Sequence, residues 1–182
     1  MVASPFLKFS KKQLLKSTII LVFSTILLAC FMLYLDSFLI NKICSGIVDF
    51  QLAKDLSVSK EIINSWNETS KIACGISLGI DFLFLISYCS LIAILIHQLN
   101  EKLWKSSSLY YLGIFLIFII FFAGVLDTIE NFALIELLLG SLQQKWTSIS
   151  YYCAIPKFII IGIGIFYILF NSTFLLLLKL KK

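Results

Sequence analysis

Asp127, Glu130 and Asn131 stand at i, i+3 and i+4 within a run of apolar residues. On a helix that spacing puts all three on one face. Two more ionisable residues have equally apolar surroundings, Asp81 and Lys157. Such groups are rare in a bilayer, cost roughly 2.5–3.5 kcal/mol each at its centre on insertion scales, and mark functional sites by default. Three chemistries are open to the set. The carboxylates, the amide and the ammonium can form an interhelical network that only fixes packing, each bond worth under about 2 kcal/mol. They can hold or pass a proton or a cation, with Lys157 as internal counter-ion. Alternatively, Asp127 or Glu130 can act as a general base, or both can join Asp81 around a divalent metal. The charges are uneven, with Asp81, Asp127 and Glu130 set against Lys157. A desolvated carboxylate without a partner takes up a proton or holds a cation. At least one of the three is therefore expected to do so at neutral pH. Gly124, one turn before Asp127, is expected to let a neighbouring backbone approach.

Four apolar segments position these residues. Residues 17–40 form a run of 24 whose one charge is Asp36, near its end. A span needs about 20 apolar residues, so this run suffices. Its basic start and the Leu27-Leu28-Ala29-Cys30 stretch loosely resemble a processed leader. Phe31 to Leu35 remain apolar, however, which favours a retained first helix. The other spans are read at about 72–97, 109–139 and 151–178, with a polar loop at 41–71. In that loop, Leu56, Ile62, Ile63 and Trp66 fit the apolar stripe of a short helix, which leaves two readings open: a helix at the membrane interface with Trp66 at headgroup depth, or an ordinary loop with a little helix. Pro156 is expected in the first turns of the fourth span, where a missing N–H is tolerated. Gly162 and Gly164 allow close packing further in.

Composition agrees with a membrane protein. The chain has 182 residues, 60% of them hydrophobic, and a mean hydropathy of +1.00. Soluble domains are about 45–50% apolar. The reading is a single all-α, four-transmembrane-helix bundle. All fifteen basic residues are Lys, so no bidentate guanidinium clamp on phosphate is available. The net charge of +5 does not point to a nucleic-acid partner, because the Lys residues cluster at helix ends. With both termini cytoplasmic, nine Lys fall inside and five outside, which the positive-inside rule favours. Asp81 is then about 13 Å and Lys157 about 9 Å from the outer start of its span, at 1.5 Å per residue. Asp127, Glu130 and Asp36 are also expected in the outer half.

Other motifs add little. The five Cys, at 30, 44, 74, 89 and 153, include no Cys-x-x-Cys pair. One disulfide among Cys44, Cys74 and Cys153 is geometrically open, while buried Cys acting as a small hydrophobe is the commoner case. His97 ends the second span with no partner visible in the sequence. Asn67-Glu68-Thr69 is a sequon in the outer loop, and Asn171-Ser172-Thr173 lies out of reach in a span. No Ser–His pairing and no Gly-rich phosphate cradle is legible.

Several stretches together resemble a family of small bacterial four-helix integral membrane proteins. They are Ile47 to Ala53 with Trp66, Gly79 to Leu85 with Tyr88, Ala123 to Asn131, and Pro156-Lys157-Phe158. The likeness covers most of residues 45–170. That family has Glu where this chain has Gln51, so the position is not expected to be an essential acid. The resemblance implies the four-helix fold, a bacterial inner membrane and a shared polar cluster, and it implies no activity.

The reading that follows is a non-enzymatic bundle or accessory subunit. Its partners are the lipid bilayer and a protein partner or second copy, with no cofactor. A proton- or cation-handling transporter component and an intramembrane Asp/Glu enzyme are the alternatives. The candidate cluster is Asp81, Asp127, Glu130, Asn131 and Lys157.

Overall fold

The computed structural model describes residues 3–180. Lys181 and Lys182, counted above at the basic C-terminal end, lie outside the described residues. The described residues form six helices and no strand: α1 Lys11–Asp36, α2 Ile47–Gln51, α3 Leu56–Ser65, α4 Glu68–Leu103, α5 Leu109–Leu138 and α6 Gln144–Leu180. Helices α1, α4, α5 and α6 are each long and apolar enough to cross a membrane. The shortest, α1, has 26 residues and is about 39 Å long at 1.5 Å per residue, against a hydrocarbon core of about 30 Å.

Local chemistry sets the helix ends. Ser10 and Gln13 make a reciprocal capping box at the start of α1. Asn67 caps α4 by accepting from the Ser70 amide at 2.8 Å. α5 stops at Gly140, whose φ of +97° suits a residue without a Cβ. The Ser141 amide donates to Glu136 and the Gly140 amide to Leu137. Together these satisfy the last carbonyls in a Schellman motif.

α4 is the central helix. α1 and α5 pack along it, α6 packs on α5 and also reaches α4, and α1 packs substantially only on α4. Gly164 brings α6 in close: a Cβ there would lie 2.7 Å from Ile120 Cδ1 and 3.1 Å from Ile92 Cγ2. Gly162 faces open space instead. Two apolar clusters result. One joins Leu39, Phe50, Trp66, Leu78 and Leu134 at the end that carries α2 and α3. The other joins Leu85, Ile92, Ile96, Ile117 and Ile120 further along. Asp81 and the 127–131 face lie between them.

Two expectations are corrected. The stripe of α3 faces the protein rather than the lipid interface. Ile62, Ile63 and Trp66 are buried, and the Trp66 indole donates to the Leu39 carbonyl at 3.1 Å. Closing the end of the bundle buries this apolar face more completely than a headgroup layer would. Pro156, in turn, does not start its helix. α6 begins at Gln144, so Pro156 is interior, and its missing N–H leaves the Tyr152 carbonyl without its helical donor. Residues 144–150 continue the helix upstream because Gln144 docks on the α2–α3 segment. It accepts from the Leu56 amide at 2.9 Å and donates to the Lys54 carbonyl at 2.9 Å.

Candidate functional site: a buried polar layer and an adjoining groove

The five sequence-selected residues form one layer across α4, α5 and α6. Lys157 on α6 reaches α5 with its ammonium 2.8 Å from Asp127 Oδ1 and 2.7 Å from Glu130 Oε2. The second contact lies outside hydrogen-bond angles. It is an ion pair all the same, because Coulomb attraction depends on distance rather than N–H direction. The Lys157, Asp127 and Glu130 side chains are 4%, 3% and 0% exposed, so neither pair is screened by water. On the α4 side, Asn131 Nδ2 donates to Asp81 Oδ2 at 2.6 Å.

The sequence reading missed two members of the layer. The Tyr88 hydroxyl donates to Asp127 Oδ2 at 2.7 Å. Its signal was available, because Tyr88 lies two helical turns after Asp81 and so shares its face. The other is Gln51, read from the sequence only as a loop position not expected to be an essential acid. It ends α2 and is 7% exposed, and its backbone carbonyl accepts from the Ser150 hydroxyl at 3.0 Å. That bond seats the α2 segment over the layer, a long-range docking that local sequence does not encode.

Other expectations fall elsewhere. Asp36, outside the candidate cluster, ends α1; its Oδ1 accepts from the Ile47 amide at 2.6 Å and pins the start of α2. Gly124 makes room for a side chain rather than a backbone, since a Cβ there would lie 3.1 Å from Cys89 Sγ. All five cysteines are free thiols. His97 does have a partner: its Nδ1 is 2.9 Å from Ser4 Oγ, and Phe6 packs on the ring. This Ser–His contact is buried and anchors the N-terminal segment. A second polar group, absent from the sequence reading, links Asn100, Trp104, Tyr167 and Asn171 near the opposite end.

Two atoms of the layer are left over. Glu130 Oε1 and Asn131 Oδ1 are buried with no donor among the described residues. Also among the described residues, no three His, Cys, Asp or Glu side chains are grouped as a metal-ligand set. Beside the layer lies a partly enclosed groove of about 540 Å³ between α1 and α6, floored by α4. Asp81, Asp127, Lys157 and Gln51 line it, together with apolar side chains.

Compared with protein-family models, curated proteins and solved structures, the chain matches none.

Proposed function

We propose that this is a non-enzymatic integral membrane protein, a small bundle or accessory subunit whose buried polar layer holds α4, α5 and α6 in one arrangement. The observation that carries the reading is the double pairing of Lys157 with Asp127 and Glu130, extended to α4 by Tyr88. Every ionisable acid of the layer except Asp81 has the Lys157 ammonium within contact distance. A network so nearly closed on itself suits a staple better than a reaction centre. The general-base reading has little support: the one histidine is engaged with Ser4, more than a dozen residues along α4 from Asp81.

The resemblance to small bacterial four-helix proteins supports a bacterial inner-membrane location. The Lys distribution supports cytoplasmic termini. The Lys-rich ends of α1, α4 and α6 and the start of α5 share one end of the up-and-down bundle. The polar layer then sits in the outer half.

The test is thermal unfolding in detergent of the wild type beside the Asp127→Asn, Glu130→Gln double variant. The variant is expected to melt several degrees lower, because it leaves the Lys157 charge buried and unpaired. A variant at least as stable as the wild type overturns the staple reading, since it means the acids are kept against the interests of the fold. One observation favours proton or cation handling as the second reading. Glu130 Oε1 and Asn131 Oδ1 stand buried without a donor, and a proton or small cation satisfies both. Proton flux into liposomes, wild type against Glu130→Gln, separates the two readings.

A further inference from the structure

The groove beside the layer has two dissimilar ends. Towards α2 it is lined by Asp81, Asp127, Lys157 and the Gln51 side chain. Away from α2 its walls are hydrocarbon, including Phe84, Leu91 and Leu95 on α4 and Ile161, Ile165 and Leu169 on α6. α4 and α6 run in the same direction, so the polar residues of both meet at one end and the apolar residues continue together. From Asp81 to Leu95 the floor is about 21 Å long at 1.5 Å per residue. The volume of about 540 Å³ falls in the range of sites that hold a small ligand, roughly 300–1,000 Å³. α1 packs on α4 rather than on α6, so the groove opens between α1 and α6, two of the helices long and apolar enough to cross a membrane.

The chemistry of the polar end restricts what enters. The Lys157 charge is already shared between Asp127 and Glu130, and the Tyr88 hydroxyl is committed to Asp127. Asp81 lies against the Asp127 carboxyl group, receives the Asn131 amide and has no cation within 4 Å among the described residues. Gln51 is more than nine-tenths buried, lines the groove, and its side-chain amide has no hydrogen-bond partner among the described residues. What sets the groove's polar end apart is a carboxylate without a counter-ion, beside an amide whose oxygen is able to accept. An anionic or phosphate-bearing head would meet two carboxylates and an ammonium that is already neutralised. A protonated primary amine has three N–H donors and supplies one of the two positive charges that three carboxylates and one lysine lack.

We propose that this groove is a binding site for a single-chain amphiphile with a protonated amine head, the amine on Asp81 and Gln51 and the alkyl chain along α4 and α6. The site does not depend on the staple reading of the layer, because it uses the acid and the amide that the Lys157 pairs leave out.

The test uses the full chain in phosphatidylcholine nanodiscs and a long-chain alkylamine with a diazirine near the end of its tail. After illumination, labelled peptides are mapped by mass spectrometry. Labelling is expected on α4 near Leu91–Leu95 and on α6 near Ile161–Leu169. Dodecylamine should compete with it, and an equal concentration of dodecanoic acid should not. The Asp81→Asn variant should need at least about tenfold more probe, the scale of one lost charge-assisted hydrogen bond. Ile165→Trp fills the groove, leaves the polar layer untouched and should abolish the label, so the proposal is testable even if Asp81→Asn does not fold. Equal competition by amine and acid, label spread over all lipid-facing helices, or label unchanged by Ile165→Trp each overturn the proposal. Thermal unfolding of the same variants reports separately on the staple.

Discussion

Replacing Lys157 with Met keeps most of the side-chain volume and removes the cation that pairs with Asp127 and Glu130. Asp127 and Glu130 would then face each other's charge in a site where their side chains are 3% and 0% exposed. Removing one partner of a buried ion pair costs about 3–5 kcal/mol, mostly because the remaining charge is stranded. For a chain of this length, about 2–4 °C of melting temperature accompanies each kcal/mol. The expected loss is therefore about 6–20 °C, read by circular dichroism during thermal unfolding in detergent. The same reasoning fixes the sign of a second comparison. A Lys157→Met, Asp127→Asn, Glu130→Gln triple variant carries no stranded charge at these three positions, so it should be more stable than Lys157→Met alone, despite carrying more substitutions. A triple variant as unstable as the single one, or a single one within about 1 °C of wild type, would refute the claim that stranded charge dominates.

Three further outcomes are expected. Gly164→Ala should destabilise the fold by about 1–3 kcal/mol through overpacking, because its Cβ would lie 2.7 Å from Ile120 Cδ1. Adding Ile120→Val, which removes that methyl, should recover part of the loss in a double-mutant cycle of denaturant midpoints. Trp66→Phe keeps the packing on Phe50 but deletes the indole donor to Leu39. Leaving that carbonyl buried and unpaired should cost about 1–3 kcal/mol in the same assay. Burial pushes the Cys44 thiol up from its ordinary value, with Asp49 and Asp36 adding to it, while the hydrogen bond to Gly46 and the contact with Trp66 act in the opposite sense. The fold therefore holds this thiol protonated. Its contribution to stability is intact below the ordinary thiol value and fades as pH climbs through the raised one. Iodoacetamide labelling of Cys44 at pH 8 should lag far behind the urea-unfolded protein, and a wild-type stability decline above pH 9 should be shallower in Cys44→Ala.

How much of this was legible beforehand differs from element to element. The hydrocarbon length of each span was written in composition, because a bilayer of fixed thickness demands a fixed number of apolar residues. The shared face of Asp127, Glu130 and Asn131 followed from helical period alone. The stripe of α3 was also legible as a stripe. Its direction was not, since an apolar face buries equally well against lipid or protein and only the neighbouring helices decide which.

The sequence by itself therefore determined the number of long apolar helices, the residues that share a helix face, and the excess of carboxylate over cation. These depend on distances along one chain. The tertiary structure decided which residues meet: that Lys157 takes both Asp127 and Glu130, that Asp81 is left with an amide, and that Gln51 arrives from a loop to close the layer. It also decided that Ser4 finds His97, and that α1 stands far enough from α6 to leave a groove. Those outcomes depend on how each helix is rotated and how far it stands from its neighbours. Both are set by the sum of many small contacts, such as Gly164 against Ile120, and no single stretch of sequence carries that sum.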